Sequence, residues 1–425
     1  MLLDSLFQEE LLALLAIDTV TPMETGRPSS IDDANRAYAA LAHRIGMRTL
    51  FDGPGSIEGA AQGQVPLSVQ RRLADEPLFL QWQPHMVLAI GDAPPERTIV
   101  FNFHMDTVSP HLPVRFEDGV IHGRGAVDNK GPGVAVLAAL HRLARQRPAQ
   151  FERMQVLIHC VAGEEGGAMG VYGTRHLVAQ GHLGRLNVFV EPTAFGYFDA
   201  STCSMTFEVE FCGEGSTDDF PDRGDNATVA LAFVAQHMAQ ALAGPAERLR
   251  TRMTVAGLTT GDQHNRVYGT GRLLMNFTYP DLEAGRACQV EVERAFRSAV
   301  DEFSRRFGDT PLFRRTAQRL DVTCRGRWLK AGLPVLANRD AEMEALLADI
   351  GVPRSDRVED TFTCDAIWGQ SPGAYSIVLG PGTLAANGAH TSREHVRLDD
   401  LERFAAIVHD LLLAFAHRCS EGDPR

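Results

Sequence analysis

Residues 98–106 read TIVFNFHMD, and residues 154–165 read MQVLIHCVAGEE. Each segment is a short apolar run, rich in branched and aromatic residues, that ends in histidine or carboxylate side chains. Runs of this kind predict strands that are buried on both faces, as in a parallel sheet. Because ligands of open α/β folds bind at the carboxyl ends of the strands, these segments predict an α/β fold with a site at that edge.

The α/β pattern covers both ends of the chain and is interrupted in the middle. A chain of 425 residues is long enough for two domains. Between residues 201 and 326 the predicted elements follow the order β-α-β-β-α-β, with the last strand near residues 319–324, which is typical of a ferredoxin-like domain. We therefore predict a mainly parallel-sheet domain in two parts, residues 1–200 and 327–425, with an inserted α+β domain at residues 201–326.

Composition and charge argue against several classes of protein. A formal charge of −13 does not provide the basic surface that general binding to nucleic acid or anionic membranes requires. The N-terminal segment MLLDSLFQEELLALLAID carries acidic residues within its apolar run, so we expect an amphipathic helix rather than a signal peptide. The seven scattered cysteines form no C-x-x-C pair, which favours reduced thiols in a cytoplasmic protein.

His104 and Asp106 lie two residues apart at the end of a predicted strand, so both side chains project to the same face. His104 can bind a metal through one ring nitrogen while Asp106 accepts a hydrogen bond from the other. A surface histidine beside a capping aspartate is the alternative. Asp128 lies among glycines just before a predicted helix, where it can bridge two ions or simply cap the helix.

Glu164 and Glu165 follow the strand at residues 154–162. One of them can bind a metal while its neighbour faces the substrate water; a solvated loop is the alternative. Adjacent carboxylates at the end of an apolar strand repel each other and need a cation or a shared proton. Glu191 ends another apolar strand, and His390 lies in GPGTLAANGAHTSRE. Taken together, these side chains form the nitrogen and oxygen ligand set that zinc prefers and that cobalt or manganese accepts.

The segments HMDTV, GRGAVDNKGP, GEEGG, VEPT and GAHTSRE, in this order and spacing, resemble the metallopeptidase family that contains aminoacylase, carboxypeptidase G, acetylornithine deacetylase and succinyl-diaminopimelate desuccinylase. The resemblance runs from about residue 86 to the C-terminus. It implies a catalytic α/β domain, a lid domain through which members commonly dimerise, and often two zinc ions. By this resemblance the metal ligands are His104, Asp128, Glu165, Glu191 and His390, with Asp128 bridging.

The resemblance also implies the chemistry. Asp106 orients His104, and Glu164 acts as general base and then general acid in the hydrolysis of a carbon–nitrogen bond. Divalent ions would make the attacking water acidic enough to react near neutral pH and stabilise the oxyanion. We therefore expect one or two divalent ions, with zinc preferred over manganese or cobalt, a small-molecule substrate, and a homodimer formed through the lid.

The first departure from the family lies in its G-x-x-x-H motif, which is followed by P-x-x-G-x-N-A. This chain reads GEGSTDDFPDRGDNA, so Thr217 occupies the position of the histidine. In the family that histidine helps to stabilise the oxyanion. A hydroxyl donates one hydrogen bond but cannot be cationic; His264, further along the chain, is the alternative.

The second departure lies in LLMNFTYP, where many relatives carry an arginine that binds the substrate's carboxylate. Asn276 and Phe277 stand there in this chain, so either Arg272 takes over that contact or the substrate is aromatic or held differently. Trp368, in DTFTCDAIWGQ, favours an apolar pocket wall. Core packing is the alternative for both Phe277 and Trp368.

Three functions follow as hypotheses. The family default is amide hydrolysis, by a deacylase or a small-peptide hydrolase. The second is an aminohydrolase that releases ammonia from an aromatic amine, as in an unusual member that acts on a nitro-substituted anthranilate. That reaction forms no amide oxyanion, so the loss of the lid histidine matters less. The third is a catalytically silent relative that binds a ligand, which the retention of Glu164 beside the ligand set argues against.

Overall fold

In a computed structural model, residues 1–61, 63–355 and 361–421 are described, and the chain forms two compact units. Unit 1 comprises Met1–Ala61, Ser68–Ser201 and Leu336–Arg425, and unit 2 comprises Gln62–Leu67 and Thr202–Val335.

The strands are as follows in chain order. Before residue 202 they are β1 (Arg48–Pro54), β2 (Pro84–Ile90), β3 (Thr98–His104), β4 (Arg115–Glu117), β5 (Val120–His122), β6 (Gln155–Val161), β7 (Leu186–Phe189) and β8 (Tyr197–Phe198). In unit 2 they are β9 (Cys203–Cys212), β10 (Ser216–Thr217), β11 (Arg252–Thr259), β12 (Arg266–Val267), β13 (Thr270–Tyr279) and β14 (Cys324–Lys330). After residue 335 they are β15 (Tyr375–Leu379) and β16 (His395–Arg397).

The helices divide in the same way. Before residue 202 they are α1 (Ser5–Ala16), α2 (Pro22–Thr25), α3 (Ile31–Arg44), α4 (Leu67–Asp75), α5 (Lys130–Gln146) and α6 (Thr174–Ala179). In unit 2 they are α7 (Ala227–Arg248), α8 (Leu282–Phe307) and α9 (Arg314–Thr323). After residue 335 they are α10 (Ala341–Asp349) and α11 (Leu398–Glu421), and a short 3₁₀ helix at Asp365–Trp368 lies between them in the chain.

Unit 1 is built on a large sheet with the strand order β1-β2-β6-β3-β7-β15-β8. Its central strands β6, β3, β7 and β15 are parallel, whereas β1, β2 and β8 add antiparallel edges. Every residue of β2 and β3 is buried, as expected for strands covered on both faces. The predicted mixed α/β fold with a mainly parallel sheet is thereby confirmed.

Helices hold this sheet from both sides. Leu137 of α5 and Leu411 of α11 belong to the large core on one face, together with Phe101 of β3. On the opposite face, Leu177 of α6 packs with Val100 and other apolar strand residues. Because both faces are covered, polar side chains gather at the ends of the strands, and this arrangement creates the candidate site.

Unit 2 has an antiparallel sheet with the strand order β11-β13-β9-β14, and α7 and α8 pack against each other and on this sheet. This is the β-α-β-β-α-β topology of a ferredoxin-like fold, as the sequence predicts. By length and apolar composition α7 alone among the described helices could cross a membrane. Its Leu231, Val234 and Met238 are buried within unit 2, which is the pattern of a helix that packs on a sheet through one face.

One predicted strand of unit 2 is wrong. Residues 319–323 belong to α9, and the strand β14 begins only at Cys324. Ala317 and Leu320 lie three residues apart and are both buried, which is helical spacing, whereas the branched pair Val322 and Thr323 comes only at the end of the helix. The predicted boundary at residue 326 consequently falls inside β14, whose pairing with β9 keeps the chain in unit 2 up to Val335.

Candidate metal centre

The predicted metal ligands lie at the carboxyl ends of the parallel strands. His104 ends β3, Glu165 follows β6, Glu191 follows β7, and His390 lies in the loop after β15. Asp128 immediately precedes Asn129, the N-cap of α5. Parallel strands end at one edge of a sheet, so segments far apart in sequence meet there. All five residues belong to unit 1.

His104 forms one half of the site. Its Nε2 lies 2.9 Å from Asp128 Oδ1 and 3.7 Å from Glu191 Oε1. The ring is almost completely buried. Burial by itself lowers the pKa of His104, but the charges of Asp128 and Glu191 outweigh it and raise that pKa well above its usual value. Two carboxylates therefore lie near Nε2 of His104, the ring nitrogen to which a metal would bind.

His390 forms the other half. Its Nε2 lies 3.1 Å from Asp128 Oδ2 and 3.0 Å from Glu165 Oε1. The two oxygens of Asp128 thus face two different imidazoles, Oδ1 toward His104 and Oδ2 toward His390. A carboxylate arranged in this way can bridge two ions, each with one histidine and one further carboxylate.

The donor set fits one or two divalent ions. Ligand atoms of His104, Asp128 and Glu165 all lie within 4.8 Å of one another. Burial and the charge of Asp128 raise the pKa of Glu191 well above its ordinary value, and burial also raises the pKa of Glu165. Such crowding of buried carboxylates is unfavourable without a cation, and nitrogen with oxygen ligands suits zinc, cobalt or manganese.

Asp106 takes a different contact from the predicted one. His104 Nδ1 lies 2.7 Å from the main-chain oxygen of Asp106 and 3.8 Å from its carboxylate. The Nδ1–H therefore donates to the carbonyl, which still fixes the tautomer and leaves Nε2 for a metal. The Asp106 carboxylate instead accepts a hydrogen bond from Glu165 N at 3.2 Å. Asp106 consequently positions the loop that carries Glu164 and Glu165.

Glu164 is half-buried in that loop. Shielding from solvent and the neighbouring charge of Glu165 raise the pKa of Glu164 well above its ordinary value. A carboxylate with a raised pKa can take a proton and hold it at neutral pH, which is what general acid–base catalysis requires.

Sequence reasoning missed Asn129. This fully buried side chain accepts from the main-chain N–H of His104 at 3.1 Å and donates to Val190 O at 2.7 Å and Glu191 Oε1 at 3.3 Å. It therefore ties β3 to the segment after β7 and orients a ligand. The available signal was a second polar residue directly after Asp128.

Sequence reasoning also missed the buried pair of Arg124 and Glu394. The Arg124 guanidinium donates to one oxygen of Glu394. The other oxygen accepts from Gly125 N at 2.9 Å and from Asp128 N at 3.4 Å. The pair thus holds the backbone of Asp128, the predicted bridging ligand. Both residues occur inside the quoted segments GRGAVDNKGP and GAHTSRE, which was the available signal.

The predicted substrate contacts lie as follows. Trp368 is buried in unit 1, and its indole N–H donates to Met169 O at 2.6 Å. In unit 2, Phe277 is fully buried with its ring 6.4 Å from that of Trp328, so it packs in a core and is not available to a substrate. Asn276 is half-buried and accepts from Thr206 Oγ1 at 2.9 Å. The remaining two unit 2 residues are exposed: Thr217 and His264.

Residues 100–414 match the model of peptidase family M20/M25/M40, and the chain belongs to this family. It is 26% identical over 320 residues to succinyl-diaminopimelate desuccinylase of Halorhodospira halophila, covering 71% of this chain and 76% of that protein. It is 32% identical over 188 residues to a LysW-lysine/LysW-ornithine hydrolase of Aeropyrum pernix, covering 43% of this chain and 48% of that protein, or about half its length.

Solved structures share the fold. Human carnosine dipeptidase 1 superposes with a TM-score of 0.67 at 14% identity, covering 97% of each chain. The dipeptidase Dug1p of Saccharomyces cerevisiae gives a TM-score of 0.68 at 12% identity, covering 98% of this chain and 96% of that one. Family membership confirms that the chain is a hydrolase acting on carbon–nitrogen bonds, in a family whose members depend on two metal ions.

Proposed function

We propose that this protein hydrolyses the amide bond of a small molecule, as a deacylase or a small-peptide hydrolase, at a centre of two divalent ions. The placement of Asp128, with each carboxylate oxygen facing a different histidine, supports this proposal most strongly. Zinc is the ion that we propose, because the ligand set combines imidazole nitrogen with carboxylate oxygen.

The metal ligands, Glu164 and Asp106 have separate roles in the proposed reaction. Ions held by the five ligands would polarise the scissile carbonyl and make a water molecule more acidic. Glu164 accepts the proton of the attacking water and later delivers it to the departing nitrogen. Its raised pKa lets it hold that proton between the two steps. Asp106 keeps Glu164 in place by accepting the hydrogen bond from Glu165 N.

A second candidate is hydrolytic release of ammonia from an aromatic amine. Thr217, exposed at the position of the family's lid histidine, supports it, because attack on a ring carbon forms no amide oxyanion. Phe277 gives this candidate no support, because it is fully buried in the core of unit 2. A silent ligand-binding relative, the third candidate, has no use for a base of raised pKa beside the ligand set.

The test is a substrate screen on metal-reconstituted protein that compares N-acyl amino acids and dipeptides with aminobenzoates. We expect acyl or peptide cleavage without ammonia, which makes Thr217 a tolerated replacement. Ammonia from an aminobenzoate would establish the second candidate instead. No turnover of any compound by protein with full metal occupancy would favour the silent relative.

We further propose a cytoplasmic homodimer that associates through unit 2. All seven cysteines are free, in keeping with a reducing compartment. The strand β11 lies at the edge of its sheet, and Val255 on this strand is 46% exposed. Unpaired edge strands readily pair with a second chain. Light scattering should give the mass of a dimer, and Val255→Lys should shift the population toward monomer.

A further inference from the structure

A row of basic side chains crosses a second, smaller sheet of unit 1. In the sheet β16-β5-β4, His122 is directly opposite His395 on one side and Arg115 on the other. Residues directly opposite each other in neighbouring strands project to the same face. The rings of His122 and His395 lie 5.7 Å apart, centroid to centroid, at an angle of 33°. Three cationic or protonatable groups therefore stand side by side.

These side chains line a cavity of about 640 Å³, together with Arg393 and the backbone of the loop that precedes β16. Arg115 and Arg393 are exposed, and within the described residues neither guanidinium forms an ion pair. The cavity is also lined by Glu394, but its carboxylate is turned inward to Arg124, Gly125 N and Asp128 N. On a chain with a net charge of −13, this cavity is a locally positive site.

The basic side chains that line the cavity favour an anion over a cation as its ligand. Neighbouring imidazoles can bind a metal cation, but two guanidiniums, which stay charged at any physiological pH, line the same space and repel a cation. Guanidinium groups bind phosphate and carboxylate oxygens with paired, charge-assisted hydrogen bonds. The hydrogen bond between His395 Nδ1 and Arg393 O, 2.9 Å long, fixes the orientation of the His395 ring beside the two guanidinium groups.

The cavity shares a loop with the metal centre. The loop from Asn387 to His395 is closed at its base by two hydrogen bonds between these residues, His395 N to Asn387 O and Asn387 Nδ2 to His395 O, each 3.0 Å. His390 lies within this loop, and Gly123 N donates to Glu394 O at 3.2 Å. An anion held between Arg393 and His395 on one side and Arg115 and His122 on the other would brace the loop against the strands.

We propose that this cavity is a binding site for a small oxyanion with two negative charges, of the phosphate or dicarboxylate class, separate from the catalytic centre. The bound anion holds the His390 loop against β4 and β5 and thereby slows the loss of metal. The proposal concerns binding and metal retention, so it stands or falls independently of which bond the enzyme hydrolyses.

Titration calorimetry on the metal-loaded full-length protein tests binding, with inorganic phosphate, a phosphate monoester and succinate at matched ionic strength. We expect saturable binding that Arg115→Gln with Arg393→Gln weakens by at least about tenfold, because the variant loses two charged hydrogen-bond donors. The control is Arg397→Gln, which removes one positive charge from β16 at a position that does not line the cavity. Preference for phosphate indicates the free ion, whereas preference for the monoester or succinate indicates an organic ligand.

Transfer of metal to a chelator tests the bracing. The preferred anion should slow metal loss from wild type and from Arg397→Gln, and should have no effect on the variant with both Arg115 and Arg393 replaced. Unchanged anion affinity in that double variant would place the anion elsewhere, for example at the metal ions, and would overturn the proposal. So would the absence of saturable binding by all three anions, or an equal effect of the Arg397 substitution.

Discussion

Glu164 and Glu165 are neighbours in sequence with different surroundings in the structure. Glu165 lies against His390, whereas Glu164 is half-buried beside the ligands with a raised pKa. We predict that Glu164→Gln lowers kcat by about 10²–10⁴-fold, the usual contribution of a general base, while bound metal remains at the wild-type level. Steady-state kinetics and metal analysis on the same preparation measure the two quantities separately.

Glu165→Gln is the matched comparison for that prediction. The same change of carboxylate to amide, one residue further along, removes a ligand and should reduce metal content as well as activity. Equal metal loss in both variants would show that Glu164 is a ligand rather than the base.

Glu394 is not a predicted metal ligand, but its carboxylate accepts hydrogen bonds from the main-chain N–H groups of Gly125 and Asp128. We predict that Glu394→Gln lowers metal affinity by about 10–100-fold, as loss of a partner behind a ligand usually does. It should also lower stability by about 3–5 kcal/mol, because it leaves the buried Arg124 charge without its counter-ion. Competition with a metal chelator and denaturant unfolding measure the two effects.

The double variant Arg124→Met with Glu394→Gln separates the two roles. Removing both charges should restore part of the stability, whereas metal affinity should stay low because Gly125 N and Asp128 N still lack their carboxylate. Full recovery of metal affinity would contradict a positioning role for Glu394.

The sequence predicts which candidate ligands lie together at one edge of the sheet, whereas it does not predict the residues that position them. His104 and Glu191 stand at the ends of apolar runs, and parallel strands bring such ends together. Glu394 contacts the Asp128 backbone across 266 positions of sequence, and no local pattern indicates such a contact. The hydrogen bond of His104 to the Asp106 carbonyl depends on the detailed path of the chain after β3, which the two-residue spacing does not determine.

At the scale of elements, the strands β2 and β6 each carry a buried histidine. Burial lowers the pKa of His85 and that of His159 to about 3 each. In the unfolded chain a histidine has a pKa of about 6.5. Between these values the unfolded state binds a proton that the folded state does not. The stability contributed by each histidine is therefore present above pH 6.5 and falls by up to about 1.4 kcal/mol per pH unit below it.

We predict that His85→Asn reduces this acid sensitivity. Asparagine keeps an acceptor near the position of Nδ1, which receives the Ala162 N–H at 3.0 Å, but it does not titrate. The slope of unfolding free energy against pH between pH 4 and 6 should fall by about one proton's equivalent. The same substitution at the exposed His264 is the matched control. A slope in His85→Asn equal to that of wild type would contradict the prediction.

The buried strands were predicted correctly from their apolar sequences, whereas the end of α9 was not. The runs of β3 and β6 are mostly apolar and almost completely buried, which is typical of strands covered on both faces. The end of α9 was misread because Val322 and Thr323 are branched, and they continue directly into Cys324 of β14. There the helix is decided by the burial of Ala317 and Leu320 within unit 2, which is a property of packing rather than of local preference.

At the scale of the whole molecule, every predicted ligand comes from unit 1, and several distant segments of that unit meet at the candidate metal centre. A bound ion that contacts only the folded state stabilises the segments that supply its ligands. Without metal, the carboxylates of Asp128, Glu165 and Glu191 should repel one another, and the loops that carry them should become more mobile. We predict a localised response rather than a uniform one.

Hydrogen exchange followed by mass spectrometry, with and without a chelator, measures that response. Exchange should rise in residues 104–107, 124–130, 163–170 and 387–395, and it should stay unchanged in β9 and β13 of unit 2. Reloading zinc should restore protection, whereas magnesium, which prefers oxygen ligands, should restore less of it. A rise of equal size in β9 and β13 would mean that the ions stabilise the chain as a whole, and unchanged exchange around Asp128 would exclude this residue as a bridging ligand.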